Sequence, residues 1–239
     1  MILLHTTKYG ESSLVLHCYT EDEGRCSMLL RNIAGRRRGK ATTAILHPLS
    51  ILNCETTGSG EGKMPCVKEY SARYNLHSIR TEFTKSAAAM FIGELLYRTL
   101  LHSERDEPLY RFIEASILGL EQCGGSTANF PLWFTIQYAA LLGFPVLPDG
   151  NTAYPAFQPG HEAAIGRICG CSCMEEALGI PMTGEFRSEL TSEILKYLEY
   201  HTGNRIDIKS VSVLHQILKI IETVWLYLKK SYWKTLSLF

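Results

Sequence analysis

The sequence predicts a multidomain β + α protein: a small closed β-barrel over residues 1–79, then an all-helical domain over residues 80–239. Three observations carry that reading. Apolar residues alternate with period two in four or five short runs near the N-terminus, and glycine, proline or acidic residues bound each run. From Thr81 the apolar period lengthens to helical spacing. Hydrophobic residues make up 46% and charged residues 20%, which suits a packed core and excludes a disordered chain. No apolar run approaches the length of a membrane span.

Met1 to His5 reads as strand. Leu14 and Leu16 alternate with Val15 and His17, and the run continues to Tyr19. Glu21-Asp22-Glu23-Gly24 is a polar turn in which Gly24 can take a positive φ. Arg25 to Ile33 is the return strand, and Gly35-Arg36-Arg37-Arg38-Gly39-Lys40 follows as a loop with four cations, three of them between the two glycines. Ala44 to Leu52 reads as a strand bent by Pro48, and Gly58 to Lys63 as a turn. Val67 to Leu76 fits a strand or a short helix equally well.

In the second half, Ala88, Phe91, Ile92, Leu95, Leu96 and Thr99 share one helical face. Leu109 to Leu120 repeats the spacing after Pro108, which a first helical turn accepts. Asn129 is placed to cap a third helix from Phe130 to about Leu142, with Gly143 at its end. Residues 144–185 look irregular. Thr191 to His201 and Ser210 to about Lys230 complete the helices.

Net charge is zero, but residues 1–85 carry +4 and residues 86–239 carry −4. The basic half holds the arginine loop. Arg36, Arg37, Arg38 and Lys40, with Arg25 and Arg31 on the return strand, are therefore the candidate phosphate contacts. Binding through them would weaken steeply with salt. Single-strand binding also needs aromatic faces, for which Tyr9, Tyr19, Tyr70 and Tyr74 are the candidates. Residues 219–239 carry +3 among aromatic residues, which suits either a DNA surface or a receptor for an acidic peptide.

The alternative reading is a metal- or redox-responsive protein built on Cys169, Cys171 and Cys173 with His161. The C-x-C-x-C spacing is cramped for one zinc ion, so no metal site is assigned. Nucleotide-binding, metalloprotease and serine-hydrolase motifs are missing, so no enzymatic activity is expected. No secretory signal is visible, and a cytoplasmic, thiol-reducing home is the expectation.

Three stretches together resemble the bacterial recombination-repair RecO family. The first runs from Tyr9-Gly10-Glu11-Ser12-Ser13-Leu14-Val15-Leu16 through Tyr19-Thr20, Gly24-Arg25 and Ala34-Gly35-Arg36 to Pro48-Leu49. The second joins Glu94-Leu95-Leu96 to Asp106-Glu107-Pro108-Leu109-Tyr110 and Leu141-Leu142-Gly143-Phe144-Pro145. The third is Leu198-Glu199-Tyr200-His201 followed by Ile208 to Leu214. The resemblance implies an N-terminal OB-fold barrel and a helical C-terminal domain. It also implies binding of single- and double-stranded DNA, annealing of complementary strands, and loading of recombinase onto coated single strands.

The implied partners are RecR and the acidic C-terminal tail of single-strand DNA-binding protein. The tail would meet Trp133, Phe134, Tyr138 and Leu141. Two positions depart from the family. The four-cysteine zinc module that many members carry after Gly143-Phe144-Pro145 is replaced by Val146 to Asn151, so no metal or other cofactor is expected. Trp133 stands where some members place a basic residue.

Overall fold

The computed structural model describes residues 1–31, 45–58, 64–101, 104–147, 154–155 and 157–220. Five strands, β1 (Ile2–Tyr9), β2 (Ser13–Thr20), β3 (Gly24–Leu30), β4 (Leu52–Thr57) and β5 (Cys66–Ala72), form one sheet in the order β1-β2-β3-β5-β4. All neighbours are antiparallel except β3 and β5, which run parallel. Thr20 pairs with Gly24 across the β2–β3 turn, and Gly24 takes φ +69° as its place in that turn requires.

The sheet is open, which corrects the expectation of a closed barrel. Among the described residues its edges meet at a single bridge, Ile2 with Ile51, supported by the backbone of residues 1–3 hydrogen bonding to residues 49–52. A register shift in the β1–β2 ladder lies between Leu3 and His5, just past that bridge. A partly open five-stranded sheet of this kind is how OB-folds are built.

Pro48 does more than bend a strand. Residues 45–50 form a turn, and β4 starts only at Leu52. Leu49 sits at φ +65°, a costly conformation for a leucine, yet its side chain is fully buried and its N–H donates to the Leu3 carbonyl at 2.7 Å. Burial of one leucine stabilises by about 1.5–3 kcal/mol, enough to hold a strain of that order.

The helices are α1 (His77–Thr81), α2 (Phe83–Thr99), α3 (Glu107–Gln122), α4 (Phe130–Leu141), α5 (Pro159–Cys169), α6 (Met174–Leu178) and α7 (Gly184–Thr202), followed by a helix at residues 210–220. Asp106 caps α3 through Leu109 N–H, and Thr183 caps α7 through Phe186 N–H. The segment expected to be irregular contains α5 and α6, whose short apolar sets, such as Ala164, Ile165 and Ile168, are too brief to stand out from sequence.

Two clusters make the core. Leu3, Leu16, Cys18, Met28, Leu30 and Val67 pack together on one side of the sheet. Ile2, Leu4 and Tyr19 point the other way and join Phe91, Ile92, Leu95 and Tyr110 in a core that runs through the helices. Helix α2 lies directly against this side of β1. A Cβ at Gly93 would stand 2.9 Å from Pro48 Cβ and 3.0 Å from the Leu4 carbonyl, so the contact needs glycine.

Candidate nucleic-acid interface

Strand register decides which side chains share the outer face of β1, β2 and β3. Thr7 pairs with Val15 and Val15 with Leu29, so these three lie in one row. Two residues further along, Tyr9 pairs with Ser13, and Arg31 lies one step beyond the Leu14–Leu30 pair. Tyr9, Ser13 and Arg31 therefore form the next row on the same face. Tyr9 is 62% exposed, and Arg31 is exposed with no ion-pair partner among the described residues. An open aromatic ring and a cation in one row, two strand spacings apart across Ser13, offer a stacking surface for a base and a contact for a phosphate. Arg36, Arg37, Arg38 and Lys40 lie outside the described residues, but the chain leaves the sheet toward them at this row.

The other candidate tyrosines are placed differently. Tyr19 is fully buried, Tyr70 packs against the inner cluster, and Tyr74 packs on the helical core with the Arg73 guanidinium 5.5 Å from its ring. Alternation within a strand cannot say which face a helix will cover.

Arg25 is at the opposite end of the same face, beneath α2. Its guanidinium lies 4.8 Å over the Tyr97 ring, and Arg98 approaches that ring at 5.9 Å. His5 and His17 complete the group, 4.7 and 5.0 Å from Tyr97. The acceptors nearby are committed elsewhere. Glu94 accepts from Lys209 N–H, Ser210 N–H and Ser210 Oγ, leaving Arg98 a loose contact of 3.8 Å. Arg25 Nη1 and Arg98 Nε are buried without a hydrogen-bond partner among the described residues. An unmet buried donor costs about 1–3 kcal/mol, and a cation–π contact returns roughly 0.5–2 kcal/mol. The cluster is therefore near balance, with donors to spare.

Ionisation follows from this crowding. Burial, then the charge of Arg25 and the neighbouring His5, pushes His17 down to about 4. Its ring nitrogens instead contact Thr7 Oγ1 at 3.1 Å and Ser27 Oγ at 2.9 Å. Burial likewise lowers His5 and Arg25. Burial would raise the Glu94 carboxyl, but its hydrogen bonds from Ser210 and Lys209, with Arg98 behind, hold it below the ordinary value.

Helix α4 carries the residues expected to meet a partner tail. Phe134 and Tyr138 are fully buried. Phe134 packs on Phe112 at 5.1 Å, and Tyr138 shares a 2.7 Å hydrogen bond with Thr99. Their side chains hold the core and offer a partner nothing directly. Trp133 is half-buried between Phe112 and Phe130, and Leu141 is exposed. The four residues thus do not form one surface. Asn129 precedes the helix as expected, but its side chain makes no cap. It donates to the carbonyls of Ala177, Leu178 and Ile180 and accepts from Arg187 Nε at 2.7 Å.

His161 is engaged by α7 rather than by the cysteines. Its Nδ1 contacts the Glu193 carboxylate on α7, and its ring meets Phe186 edge-on. Cys171 donates to the Arg167 carbonyl, and burial raises the thiol pKa of both Cys169 and Cys171. No group of three or more potential metal ligands forms among the described residues. A raised thiol pKa is the opposite of the lowered one that activates a redox cysteine.

Two family models match the chain. One, described as "Recombination protein O N terminal", matches residues 1–74, and the other, "Recombination protein O C terminal", matches residues 80–147. A protein named DNA repair protein RecO from Phocaeicola vulgatus is 32% identical over 174 residues, 69% of this chain and 72% of that relative. The chain belongs to the RecO family. A second relative of that name, from Christiangramia forsetii, is 28% identical over 233 residues and covers 90% of this chain and 96% of its own length. A third, from Azobacteroides pseudotrichonymphae, is 25% identical over 234 residues, 90% of this chain and 96% of that relative. The gap between the two matched RecO segments coincides with the passage from β5 to α1. Sequence reasoning missed the Tyr97–Arg98 part of the cluster because both residues lie on a helix distant in sequence from the strands they cover.

Proposed function

We propose that this RecO-family chain is a non-enzymatic mediator of DNA repair and homologous recombination. It binds single- and double-stranded DNA, anneals complementary strands and helps load recombinase onto coated single strands. The observation that carries the reading is likeness to proteins named DNA repair protein RecO over 90% of the chain. The exposed Tyr9–Arg31 row at the root of the arginine segment supports it. Annealing needs no catalytic group. Cations that screen strand repulsion, with bases left accessible, are sufficient.

RecR and the acidic tail of single-strand DNA-binding protein are the proposed partners, and the cytoplasm, at the nucleoid, is the proposed location. With Phe134 and Tyr138 buried, a tail site on this chain would have to use the exposed flank around Trp133 and Leu141. No helix among the described residues is long and apolar enough to cross a membrane. Titration of a fluorescent single-stranded oligonucleotide, followed by addition of its complement, tests the reading. Salt-steep binding with accelerated annealing supports it, and no binding at low salt removes it.

A further inference from the structure

The helix at residues 210–220 is held to the rest of the chain by few contacts. Among its residues only Ser210, Leu214 and Leu218 are buried, and Val213 and Ile220 are 39% and 61% exposed. A crevice of about 630 Å³, lined by Pro131, Ser188, Thr191, Leu214, His215 and Leu218, lies between this helix, α7 and the start of α4. The inner face of the helix thus borders unfilled space, and its attachment depends on two polar points. At its start, Glu94 accepts from Lys209 N–H at 3.1 Å, Ser210 N–H at 2.9 Å and Ser210 Oγ at 2.7 Å. Further along, His215 Nδ1 shares a 2.8 Å hydrogen bond with Ser188 Oγ on α7. Ile206 and Ile208 are buried just before the helix, so opening can begin at Lys209 while the preceding chain stays in place.

Glu94 has a second claimant. Arg98, one turn along α2, brings Nη2 only to 3.8 Å from Glu94 Oε1, the same oxygen that accepts from Lys209 N–H. Its Nε is buried without a hydrogen-bond partner among the described residues, and its guanidinium rests 5.9 Å from the Tyr97 ring. An arginine fork satisfied by both carboxylate oxygens is a stronger pair than this loose contact. Such a pair would turn the oxygens along α2 and away from residues 209 and 210. The carboxylate therefore has two alternative sets of donors, one for each position of the helix.

We propose that the helix at residues 210–220 is a releasable strap with Glu94 as its switch: closed, Glu94 holds Lys209 and Ser210, and open, it pairs with Arg98. Arg98 shares the Tyr97 ring with Arg25 of β3, and His5 and His17 border that ring. Opening of the strap is thereby transmitted from the C-terminal side of the helical bundle to the N-terminal sheet. Tyr97 is the positioning residue of the device, because its ring gives Arg98 a resting place away from Glu94.

Hydrogen–deuterium exchange of the full chain at pH 7, read by mass spectrometry over residues 214–220, reports the open population. Arg98→Gln removes the competing donor, and exchange of the strap should slow about twofold to tenfold, between the worth of an exposed i,i+4 ion pair and that of a charge-assisted hydrogen bond. A charge that merely supports Glu94 would have the opposite effect, since its loss would loosen the hold on Ser210. Tyr97→Leu takes away the ring on which Arg98 rests and should speed exchange of the strap, but only while Arg98 is present. In the Tyr97→Leu, Arg98→Gln double variant that effect should vanish. Ser188→Ala, which cuts the second attachment, should speed exchange about fivefold with or without Arg98. Lys196→Gln, at an exposed position on α7, should match wild type. Exchange over α4, read in the same spectra, separates opening of the strap from loss of global stability. Unchanged or faster exchange of the strap in Arg98→Gln would overturn the switch, as would an equal effect of Tyr97→Leu in the two backgrounds.

Discussion

Replacing Asn129 with alanine separates two roles that the sequence cannot distinguish. As a helix cap alone, the residue would contribute about 1 kcal/mol. The structure gives it a larger task. It is buried, and its amide reaches the carbonyls of Ile180 at 2.8 Å and of Ala177 and Leu178 at 3.3 Å. Its oxygen accepts from the buried Arg187 at 2.7 Å. The two short bonds dominate. One neutral bond is worth about 1 kcal/mol and one charge-assisted bond about 1.5–3 kcal/mol, so Asn129→Ala should cost roughly 3 kcal/mol. For a chain of this length that lowers Tm by roughly 6–12 °C. Thermal unfolding followed by circular dichroism reads the shift, and urea unfolding with an unchanged m-value confirms that the native state is destabilised rather than rearranged. A fall of only about 2–4 °C is what a cap alone would give, and it would refute the network.

Other expectations follow from the interface and its supports. Tyr9→Ala should weaken single-strand binding by about 1–3 kcal/mol if its ring stacks on a base, with little change in melting temperature, since the ring is open to solvent. Glu94→Gln leaves Ser210 and Lys209 N–H groups with a weaker acceptor, and hydrogen exchange at residues 209–214 should accelerate while α2 stays protected. Stability should fall as pH drops from about 6.5 toward 4. His17 is neutral when folded and takes up a proton once unfolded, so the unfolded state binds more protons in that window. Because His17 is only partly buried, solvent screening reduces the effect to the order of 1 kcal/mol. His17→Gln, melted at pH 7 and pH 5, should show a smaller difference than wild type.

Much of the architecture is legible in the sequence because local patterns and tertiary packing agree. Leu14 to Tyr19 alternates and forms β2, Gly24 takes the turn geometry that its position demands, and Pro108 sits in the first turn of α3. What is not legible depends on contacts between distant segments. The sheet is open rather than a closed barrel, its edges meeting among the described residues at the Ile2–Ile51 bridge, a pairing of distant segments that no spacing in the sequence records. Phe134 and Tyr138 read as surface residues of a partner site, yet Phe112 and Thr99 lie against them. Arg25 reads as a free cation from its strand, and only the approach of α2 shows it stacked on Tyr97. Asn129 satisfies the sequence rule for a cap, yet its side chain serves α6, α7 and the turn between them.

The most direct measurement of the central claim compares the wild-type chain with Arg36, Arg37 and Arg38 all replaced by alanine. Single-strand affinity is read across a salt series and annealing of the complement is followed in the same cuvette. The account predicts tight, salt-steep binding and rapid annealing for wild type. For the triple variant it predicts a slope shallower by up to about 2, since three cations no longer meet single-strand phosphates, with the fold retained. Equal affinity and equal annealing in the two proteins would contradict it.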